Sequence, residues 1–360
     1  MAYRKYKLGD LVEQYDEINL SGEFADINDL QGINSNKYFQ ECKSNKNDID
    51  LYRYRICRHG MFSYNRATSR NGEKISIALR TGGDCIVSPS YYCFRVKDEY
   101  VLCPEYLDIW FKRPVFDRYA RFNSWGSATE FFTFDDFCAT EIMLPSISEQ
   151  RKIIHDYQVI TDRIELLRKM NEKLETVCNT YFDSITKVAS QRGSGHLEDY
   201  INFGNGKARP STIGDIPVYG GNGIMSYTNE YNEENVAIIG RVGAYCGSVF
   251  VEENCCWVSD NAIVANSKVT EDEYFDYCLL KRMNLYSHHV GTGQQLLTQS
   301  ILNAISCAAY TKDEICRFNQ TVKSIFKNIR HYGAEINKLE KLLLILLSSL
   351  AVEMKSEVSA

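Results

Sequence analysis

Apolar side chains recur along two stretches of the chain at steps that alternate between four and three residues. The first seam runs from Ile153 to Val188, and the second runs from Phe318 to Leu350 after a shift of 165 residues. A 3.5-residue period held over about five heptads predicts two long helices packed as a left-handed coiled coil. The positions assigned to this packing are Ile153, Tyr157, Ile160, Ile164, Leu167, Leu174, Val322, Ile325, Ile329, Ile336, Leu339, Leu343 and Leu346.

Both helices are preceded by the same kind of capping sequence. The shift of 165 places PSISEQRKI on YTKDEICRF, so that Ser146 matches Thr311 and Glu149 matches Glu314. In an S/T-x-x-E capping box the hydroxyl accepts a hydrogen bond from the first helical turn, and the glutamate reaches back to the cap. We therefore expect the two helices to start at equivalent positions.

The globular parts before the helices repeat less closely. YKLGDLV resembles HLEDYIN at a shift of 189, which also places Asp26 on Asp215, whereas Gly126 matches Gly291 at 165. The first copy is therefore longer by 24 residues, inserted between about 34 and 120. Variable loops on a repeated scaffold are the usual location of binding specificity.

Short apolar runs and glycine-rich turns predict an α+β fold for each globular part. CIVSPSYYCFRV and NVAIIGRV are typical of strands, whereas YGGNGI and GRVGAYCG are typical of turns. EYLDIWFKR and EYFDYCLLKR have helical spacing. The predicted segments are a first domain at 1–145, a first helix at 146–190, a second domain at 191–310, a second helix at 311–354 and a tail at 355–360.

The order domain, helix, domain, helix predicts an internal repeat with a pseudo-two-fold axis if the helices pack antiparallel. The first seam would then span about 54 Å at 1.5 Å per residue, which is about one and a half turns of B-DNA. The alternative is two independent amphipathic helices, each lying on its own domain. Asn171 is the polar break in the first seam, and it either fixes the register or faces water.

Composition favours a folded protein without a membrane segment. The apolar fraction is 44%, but no run reaches the roughly 18 apolar residues that would span a bilayer. MAYRKYKLGD contains no apolar signal region, so we expect a cytoplasmic location. The 13 cysteines show no C-x-x-C spacing and the six histidines no H-E-x-x-H. We therefore predict reduced thiols that pack as small apolar side chains, and no metal site.

Charge is distributed unevenly along the chain. The net charge of −6 argues against a simple nucleic-acid binder. Residues 51–80, however, carry seven arginines and lysines against one glutamate, with three tyrosines interleaved. Residues 191–310 hold seven basic and 13 acidic side chains. The first copy thus has a local basic patch that the second copy lacks.

Several motifs follow one another in a set order. The first copy contains FSYNRATSRNGEKISIAL and GDCIVSPSYYCFRV, and the second contains GDIPVYGGNGI, VAIIGRVGAYCGSVF and VSDNAIV. With the junction LPSISEQRKI, this order resembles the specificity (S) subunits of type I restriction–modification enzymes over essentially the whole chain. The resemblance implies two target-recognition domains, each reading half of a bipartite, asymmetric site in double-stranded DNA.

The resemblance also implies partners. Two methyltransferase (M) subunits would dock on the helices and carry S-adenosylmethionine and the catalytic residues for adenine methylation. Restriction (R) subunits would join for cleavage that depends on ATP and Mg. The chain departs from the pattern at its second junction, where Tyr310 and Ile315 replace Pro145 and Gln150. This departure predicts a second helix that is entered or docked differently.

Catalysis by this chain itself is not expected. An adenine methyltransferase needs an N/D-P-P-Y-type motif, and the sequence contains no Pro-Pro. FGNGKA lacks the spacing and the Ser/Thr of a phosphate-binding P-loop. No Ser-His-Asp or nuclease-like arrangement stands out, although spacing alone does not exclude a dispersed triad. No catalytic residue and no cofactor are therefore assigned to the chain.

The residues expected to contact DNA lie in loops. Arginine can bond guanine bidentately and asparagine adenine, whereas the alternative is a loop limited to phosphate contacts or to closing the fold. The first-copy candidates are Tyr64, Asn65, Arg66, Ser69, Arg70, Asn71, Trp125, Ser127 and Thr129. The second-copy candidates are Gly221, Asn222, Arg241, Tyr245, Thr292, Gln294 and Gln295.

Two other functions compete with the specificity subunit. One is an orphan or phage-borne module of the same fold that redirects methyltransferase partners without restriction. The other is a coiled-coil scaffold with no DNA role. Gene neighbours would separate the first from a restriction subunit, and loss of sequence-specific methylation on loop mutation would exclude the second.

Overall fold

The structure is a computed structural model that describes residues 3–42, 49–68, 74–126, 129–291 and 293–356, the last six by their backbone alone. The elements before the first long helix are β1 (Arg4–Lys7), α1 (Leu8–Leu11), β2 (Val12–Gln14), β3 (Gln31–Ile33), β4 (Phe39–Glu41), β5 (Arg55–Cys57), β6 (Phe62–Asn65), β7 (Ile77–Leu79), β8 (Cys85–Val87), β9 (Tyr91–Val96), α2 (Pro104–Phe111), α3 (Pro114–Phe122), α4 (Phe134–Cys138) and β10 (Glu141–Leu144).

The remaining elements repeat this alternation of short strands and helices between two long helices. They are α5 (Ile147–Arg192), β11 (Ser194–His196), β12 (Ile201–Asn205), β13 (Ile216–Gly220), β14 (Gly223–Thr228), β15 (Glu233–Gly240), β16 (Val249–Val258), β17 (Ala262–Ser267), α6 (Tyr274–Arg282), α7 (Gln299–Asn303), β18 (Ser306–Ala308) and α8 (Lys312–Ser356). The predicted α+β class is confirmed. CIVSPSYYCFRV forms β8 and β9, NVAIIGRV contributes to β15, and the two predicted short helices form α2 and α6.

The two globular parts contain the same set of four antiparallel strands. In the first part their order is β2-β9-β6-β7, and in the second it is β12-β17-β15-β16. The second sheet continues with β13, which is parallel to β16, and with β14. The first part instead has the separate pairs β3–β4 and β5–β8. The repeat is therefore retained in the central strands and lost around them.

Each copy also closes in the same way. Strand β1 pairs with β10, and β11 pairs with β18, both antiparallel. Directly after the first strand of each pair, a carboxylate accepts a hydrogen bond from the backbone three residues earlier. Asp10 accepts from the N–H of Lys7 (3.2 Å), and Asp199 accepts from the N–H of His196 (2.7 Å). The shift of 189 therefore relates residues with the same local role.

The core of the first part is rich in aromatic rings. Phe62 and Phe94 stack with centroids 5.0 Å apart, and Tyr64 stacks on Phe137 at 5.2 Å. The same cluster includes Leu347 from α8, together with neighbouring apolar residues of both long helices. Each large apolar side chain that is buried contributes about 1.5–3 kcal/mol. Ends of both long helices therefore complete this core.

The core of the second part is built in the same way from other segments of the long helices. Phe182 lies 5.3 Å from the ring of Phe275 and 5.6 Å from that of Phe318. Asn319, buried on α8, accepts the N–H of Phe275 (2.8 Å) and donates to the hydroxyl of Thr270 (2.8 Å). The start of α6 is thereby tied to α8.

The two long helices begin with matching hydroxyl caps and different anchors, and the predicted reciprocal bond is present in the second helix, where Glu314 accepts the N–H of Thr311 (2.9 Å). The N–H of Glu149 donates to the hydroxyl of Ser146 (3.3 Å), and that of Glu314 donates to the hydroxyl of Thr311 (3.3 Å). At the next position Gln150 is buried and bonds the backbone of residues 101, 103 and 145. Its counterpart Ile315 packs in the second core instead. The substitution thus replaces a polar anchor by an apolar one.

The chain divides into two compact units, Met1–Glu165 with Asn337–Ala360, and Leu166–Ile336. In the first unit the beginning of α5 shares a core with the end of α8. In the second unit Tyr181 stacks on Phe318, and the amide of Asn171 donates to the carbonyl of Ile329 (3.3 Å). In the second unit the two helix segments are therefore antiparallel, because residue numbers fall along α8 as they rise along α5.

The heptad seam faces away from solvent through most of its length. All 13 seam positions assigned from the sequence are buried or half-buried. The pattern changes near the end of α5, where Val188 is exposed and the neighbouring Phe182 and Ala189 are buried. There the helix packs on the second core rather than on a helix alone, so its apolar face turns by one position.

Two carboxyl groups are buried at the start of α6. Glu273 and Asp276 are almost fully buried, and Glu273 accepts the N–H of Ser267 (2.8 Å). Burial and Coulomb repulsion from Asp276 raise the pKa of Glu273, and burial raises the pKa of Asp276. The folded chain therefore binds these protons more tightly than the unfolded chain does.

We predict that this pair makes the second unit less stable at alkaline pH. The stability that the raised pKa values provide is fully present below about pH 4, which is the pKa of these carboxyl groups in the unfolded chain. It is lost as the pH rises through their pKa values in the folded chain. Glu273→Gln should flatten the fall in unfolding temperature between pH 5 and pH 9, followed by circular dichroism. The control Glu271→Gln, at an exposed position two residues away, should keep the wild-type slope. Equal slopes in the wild type and Glu273→Gln would refute this account.

Candidate nucleic-acid interface

Three of the seven basic residues between 51 and 80 are neutralised within their own domain. Arg53 pairs with Asp50 (3.0 Å), and Arg55 pairs with Asp16. Arg58 is held by three carboxylates, from Glu17 (2.6 Å), Glu23 (2.5 Å) and Asp84 (3.0 Å). The predicted patch of +6 is therefore not a continuous basic surface, because acids distant in the sequence fold against it.

Arg66 differs from these three arginines. It is exposed and follows directly after β6. Its guanidinium carbon lies 5.3 Å from the ring centroid of Phe131 and 6.0 Å from that of Tyr92. Among the described residues, no carboxylate pairs with it. The rings hold the flat guanidinium by cation–π contact while its N–H groups stay available.

The two residues before Arg66 are placed differently. Tyr64 lies fully inside the aromatic core, where burial raises its pKa and its hydroxyl donates to the carbonyl of Phe132 (3.4 Å). Its side chain does not reach the surface, so the expected contact of Tyr64 with DNA is wrong. Asn65 is half-buried, and its side-chain oxygen accepts the N–H of Ala67 (3.1 Å). This bond shapes the turn that carries Arg66.

A second predicted segment lies beside Arg66. Trp125 and Phe131 exchange two backbone hydrogen bonds (3.1 and 2.9 Å), which close a short loop. Phe131 also forms a bridge to Ala67. Trp125 is 70% exposed, and Thr129 is half-buried. The structure thus brings together Arg66 and the loop from Trp125 to Phe131, two segments that are about 60 residues apart.

The second domain gathers its candidates in a similar cluster. The turn at Gly221 and Asn222 joins β13 to β14, and Asn222 is exposed. Tyr245 is exposed in a short 3-10 turn whose first residue, Gly243, donates its N–H to the carbonyl of Gln295 (3.0 Å). Two of these turns pack closely on Gly240, the last residue of β15. A Cβ added at Gly240 would lie within 2.5 Å of the backbone oxygens of Gly221 and Tyr245. Three turns therefore converge around one strand end.

Arg241 follows directly after that strand end. Its N–H donates to the carbonyl of Asn261 (3.0 Å), and the side chain is half-buried. Its Nε atom is buried without a hydrogen-bond partner among the described atoms. Gln295 is half-buried, whereas Gln294 is exposed on the neighbouring loop.

The two clusters have the same backbone frame. The N–H of Phe132 donates to the carbonyl of Arg66, and the N–H of Leu297 donates to the carbonyl of Arg241, both at 2.9 Å. Val290 and Leu296 exchange the same two bonds as Trp125 and Phe131, and Leu296 bridges Val242 as Phe131 bridges Ala67. Arg66 and Arg241 are therefore equivalent positions of the repeat.

This equivalence locates the additional length of the first copy. The shift between equivalent residues is 189 at Asp10, 175 at Arg66 and 165 at Phe131. The first copy thus has 14 extra residues before Arg66 and 10 after it. Both insertions flank the arginine cluster rather than the long helices.

One glycine begins each loop for a steric reason. Gly126 has φ +154° and Gly291 has φ +94°. A Cβ at these positions would lie 2.0 Å from the carbonyl oxygen of Thr129 and 2.4 Å from that of Gln294. A side chain at either position would force the loop open. The match of Gly126 with Gly291 found in the sequence is therefore a match of turn geometry.

Several candidates cannot be placed. Ser69, Arg70, Asn71, Ser127 and Thr292 lie outside the described residues. Phe131 and Tyr92, in contrast, belong to the site and were not predicted. An apolar residue in a loop after SWGSATE was the available signal for Phe131, but Tyr92 reaches the site only through the pairing of β9 with β6.

The described part of the chain offers little for other chemistries. It contains no group of three or more His, Cys, Asp or Glu side chains arranged to hold a metal ion. No described helix is long and apolar enough to cross a membrane.

Comparisons with known proteins agree with this arrangement. Residues 197–307, which include the arginine cluster of the second domain, match the family "Type I restriction modification DNA specificity domain". No curated protein matches the sequence of the chain. The type I restriction–modification S subunit from M. genitalium is similar in structure, with a TM-score of 0.69 and 17% identity over 97% of this chain and 96% of that one.

Other solved structures cover the chain with lower scores. One from work on "complex assembly and conformational transition of the type I R-M system" has a TM-score of 0.46, with 16% identity over 97% of both chains. The HsdS subunit from Thermoanaerobacter tengcongensis has 0.39, with 16% identity over 97% and 96%. Residues 197–307 therefore match the type I restriction modification DNA specificity domain, and the chain has the fold of the M. genitalium specificity subunit.

Proposed function

We propose that this chain is the DNA-recognition subunit of a type I restriction–modification system and that each domain reads one half of a bipartite DNA site. The observation that carries the proposal is the repeated arginine cluster. The same backbone frame presents Arg66 in one copy and Arg241 in the other, with different side chains around each. One frame with unlike surroundings suits a protein that reads two unlike half-sites.

The chemistry of both clusters suits a DNA duplex. Arginine guanidinium groups bond phosphates or the guanine edge bidentately. The exposed Trp125 and Tyr245 offer aromatic faces, and Asn222, Gln294 and Gln295 offer amides that pair with adenine in the major groove. Backbone turns built on glycine allow close approach to a base or phosphate.

The long helices would dock the methyltransferase subunits. In the first unit α8 exposes Leu342, Leu344 and Ile345, and α5 exposes Val159. Apolar side chains grouped on a helix surface are typical of a protein interface. In this proposal the M subunits supply S-adenosylmethionine and the reacting groups, R subunits supply the steps that need ATP and Mg, and the chain itself works in the cytoplasm without catalysing a reaction.

A second candidate is the orphan or phage-borne module that redirects methyltransferases without restriction. It uses the same clusters and the same helices, so this chain favours neither form. Purification of the native complex would decide, because an R subunit is retained in one case and absent in the other.

We predict that Arg66→Ala impairs sequence-specific methylation without loss of assembly. Removing a bidentate arginine contact should lower methylation at the recognised site by about tenfold or more. The measurement is the methylation rate of duplex DNA by the complex with its M subunits, with subunit content checked by gel filtration. Lys5→Ala is the control, because it removes one exposed charge from β1, where Lys5 pairs with Glu141 of β10. An unchanged rate in Arg66→Ala would refute the assignment of this cluster, and failed assembly would show that the position is structural.

We also predict that the loop glycine of the second domain is required. Gly291→Ala places a Cβ against the carbonyl of Gln294 and should weaken binding of specific DNA by the complex, by about fivefold or more at a strain of about 1–3 kcal/mol. Gly293→Ala is the matched control, because a Cβ there meets no atom within 4 Å. Fluorescence anisotropy of the complex with specific DNA separates the two variants. Equal DNA affinities of the two variants would show that DNA binding does not depend on the shape of this loop.

The surface of α8 that is proposed to dock the M subunits can be tested by placing a negative charge on it. Ile345→Asp should weaken binding of M subunits by about tenfold or more, since truncation at the centre of an interface has effects of this size. Ile345 is 65% exposed, so the unfolding temperature of the free chain should not change. Leu20→Asp makes a similar change at an exposed turn of the first domain and should leave binding intact. Wild-type affinity in Ile345→Asp would place the M subunits elsewhere.

A further inference from the structure

We infer that Arg66 and Arg241 are one base-reading position repeated in the two domains, and that each bonds a guanine in its own half-site. This inference rests on the proposed function and adds the residue and the base. Arg66 comes directly after the central strand β6, and Arg241 comes directly after the central strand β15. The backbone carbonyl of Arg66 accepts the N–H of Phe132, and that of Arg241 accepts the N–H of Leu297. The backbone therefore delivers both side chains from the same place in the fold.

Electrostatics separates these two arginines from eight others of the described chain. Arg53, Arg55, Arg58, Arg95 and Arg121 in the first domain all pair with carboxylates, as do Arg192, Arg282 and Arg330 in the second unit. Within the described residues neither Arg66 nor Arg241 has such a partner. Arg209 of the second domain has no carboxylate partner in the described part of the chain either, but it is exposed, whereas Arg241 is half-buried.

The environment of Arg241 strengthens the argument. Its side chain is half-buried, and its Nε is shielded from solvent without an acceptor. A buried donor without a partner destabilises the free protein. An acceptor that arrives with DNA would remove this cost, because the guanidinium donors are then satisfied in the complex.

Guanine fits these arginines better than a phosphate does. A phosphate contact needs a positive charge that can follow the DNA backbone, and a flexible surface lysine provides it. Arg66 is instead held over the rings of Phe131 and Tyr92, which orients the plane of its guanidinium. A fixed planar fork matches the O6 and N7 acceptors of guanine. Arg66 with this fixed fork is a reading position rather than part of a charged surface, and Arg241 occupies the equivalent position of the repeat.

The surroundings explain how one position serves two sequences. The residues of the second domain equivalent to Phe131 and Tyr92 are Leu296 and Ile263, taken from the bridge and strand registers. The aromatic support of Arg66 is thus replaced by aliphatic side chains at Arg241. The repeat conserves the reader, while the side chains beside it change the remaining bases that each domain accepts.

The test uses the chain in complex with its M subunits. Methylated adenines mapped in host DNA first define the two half-sites of the wild type. Arg66→Lys keeps the charge and removes the fork, and Arg241→Lys does the same in the second domain. Each variant should lower methylation of wild-type sites by about 5- to 150-fold. Each should also relax the preference for guanine at one position, in one half-site only and in a different half-site for each variant.

A modified base provides an independent readout. Replacing the identified guanine by 7-deazaguanine removes the N7 acceptor, so it should weaken DNA binding by the wild-type complex and have no further effect on Arg66→Ala. The control Lys5→Ala should respond to the modified base as the wild type does. If the modified base and Arg66→Ala together weaken DNA binding by less than the sum of their separate effects, Arg66 contacts that base directly.

The outcomes separate the inference from the function on which it rests. Wild-type affinity and motif in both lysine variants would show phosphate contacts and overturn the inference, as would half-sites without guanine or two variants that alter the same half-site. In each of these cases sequence-specific methylation persists and the proposed function stands. Methylation without sequence preference by the wild-type complex would instead refute the proposed function.

Discussion

The structure depends on apolar side chains of the long helices that complete cores begun elsewhere in the chain. Leu347 and Leu350 of α8 join the core that holds Phe62 and Phe94, which lie more than 250 residues earlier in the chain. Arg113, buried in that domain, donates to the carbonyl of Leu350 (3.3 Å). The second core likewise needs the end of α5 and the start of α8. The first compact unit consists of two separate segments, Met1–Glu165 and Asn337–Ala360, so its core closes only when the end of α8 is present. The second unit, Leu166–Ile336, is continuous, but its core also joins its two ends.

This constraint leaves the loops free to differ. The helices and the four central strands repeat because they carry the packing, and a change of volume there leaves a cavity or a clash. The segments around Arg66 and Arg241 do not fill the cores. Only the loop glycine and the backbone hydrogen bonds of each arginine cluster are needed to keep their shape. The 24 additional residues of the first copy therefore lie on both sides of the arginine cluster. Specificity can diverge there at little cost to stability.

The charge of the molecule illustrates why a linear sequence is a poor guide to a surface. The basic run at 51–80 looked like a ready footprint for DNA, but Arg58 alone is held by three carboxylates from residues 17, 23 and 84. The acidic second domain looked unsuited to DNA, yet it keeps Arg241 without a carboxylate partner among the described residues. The charge that a protein surface presents is the charge left after folding, and it depends on pairs between residues far apart in the sequence.

The sequence by itself determined the periodic features of this protein. The 3.5-residue seam, the paired caps and the glycine of each loop obey local rules, so the long helices, their starting points and the internal repeat could be predicted with the α+β class. The tertiary structure alone decided which polar residues face solvent. Tyr64 points inward because β6 is central, Tyr92 reaches Arg66 through the pairing of β9 with β6, and Arg55 is neutralised by Asp16. Local periodicity is encoded in neighbouring residues, whereas burial and charge pairing depend on residues far apart in the chain that meet only when the strands pair.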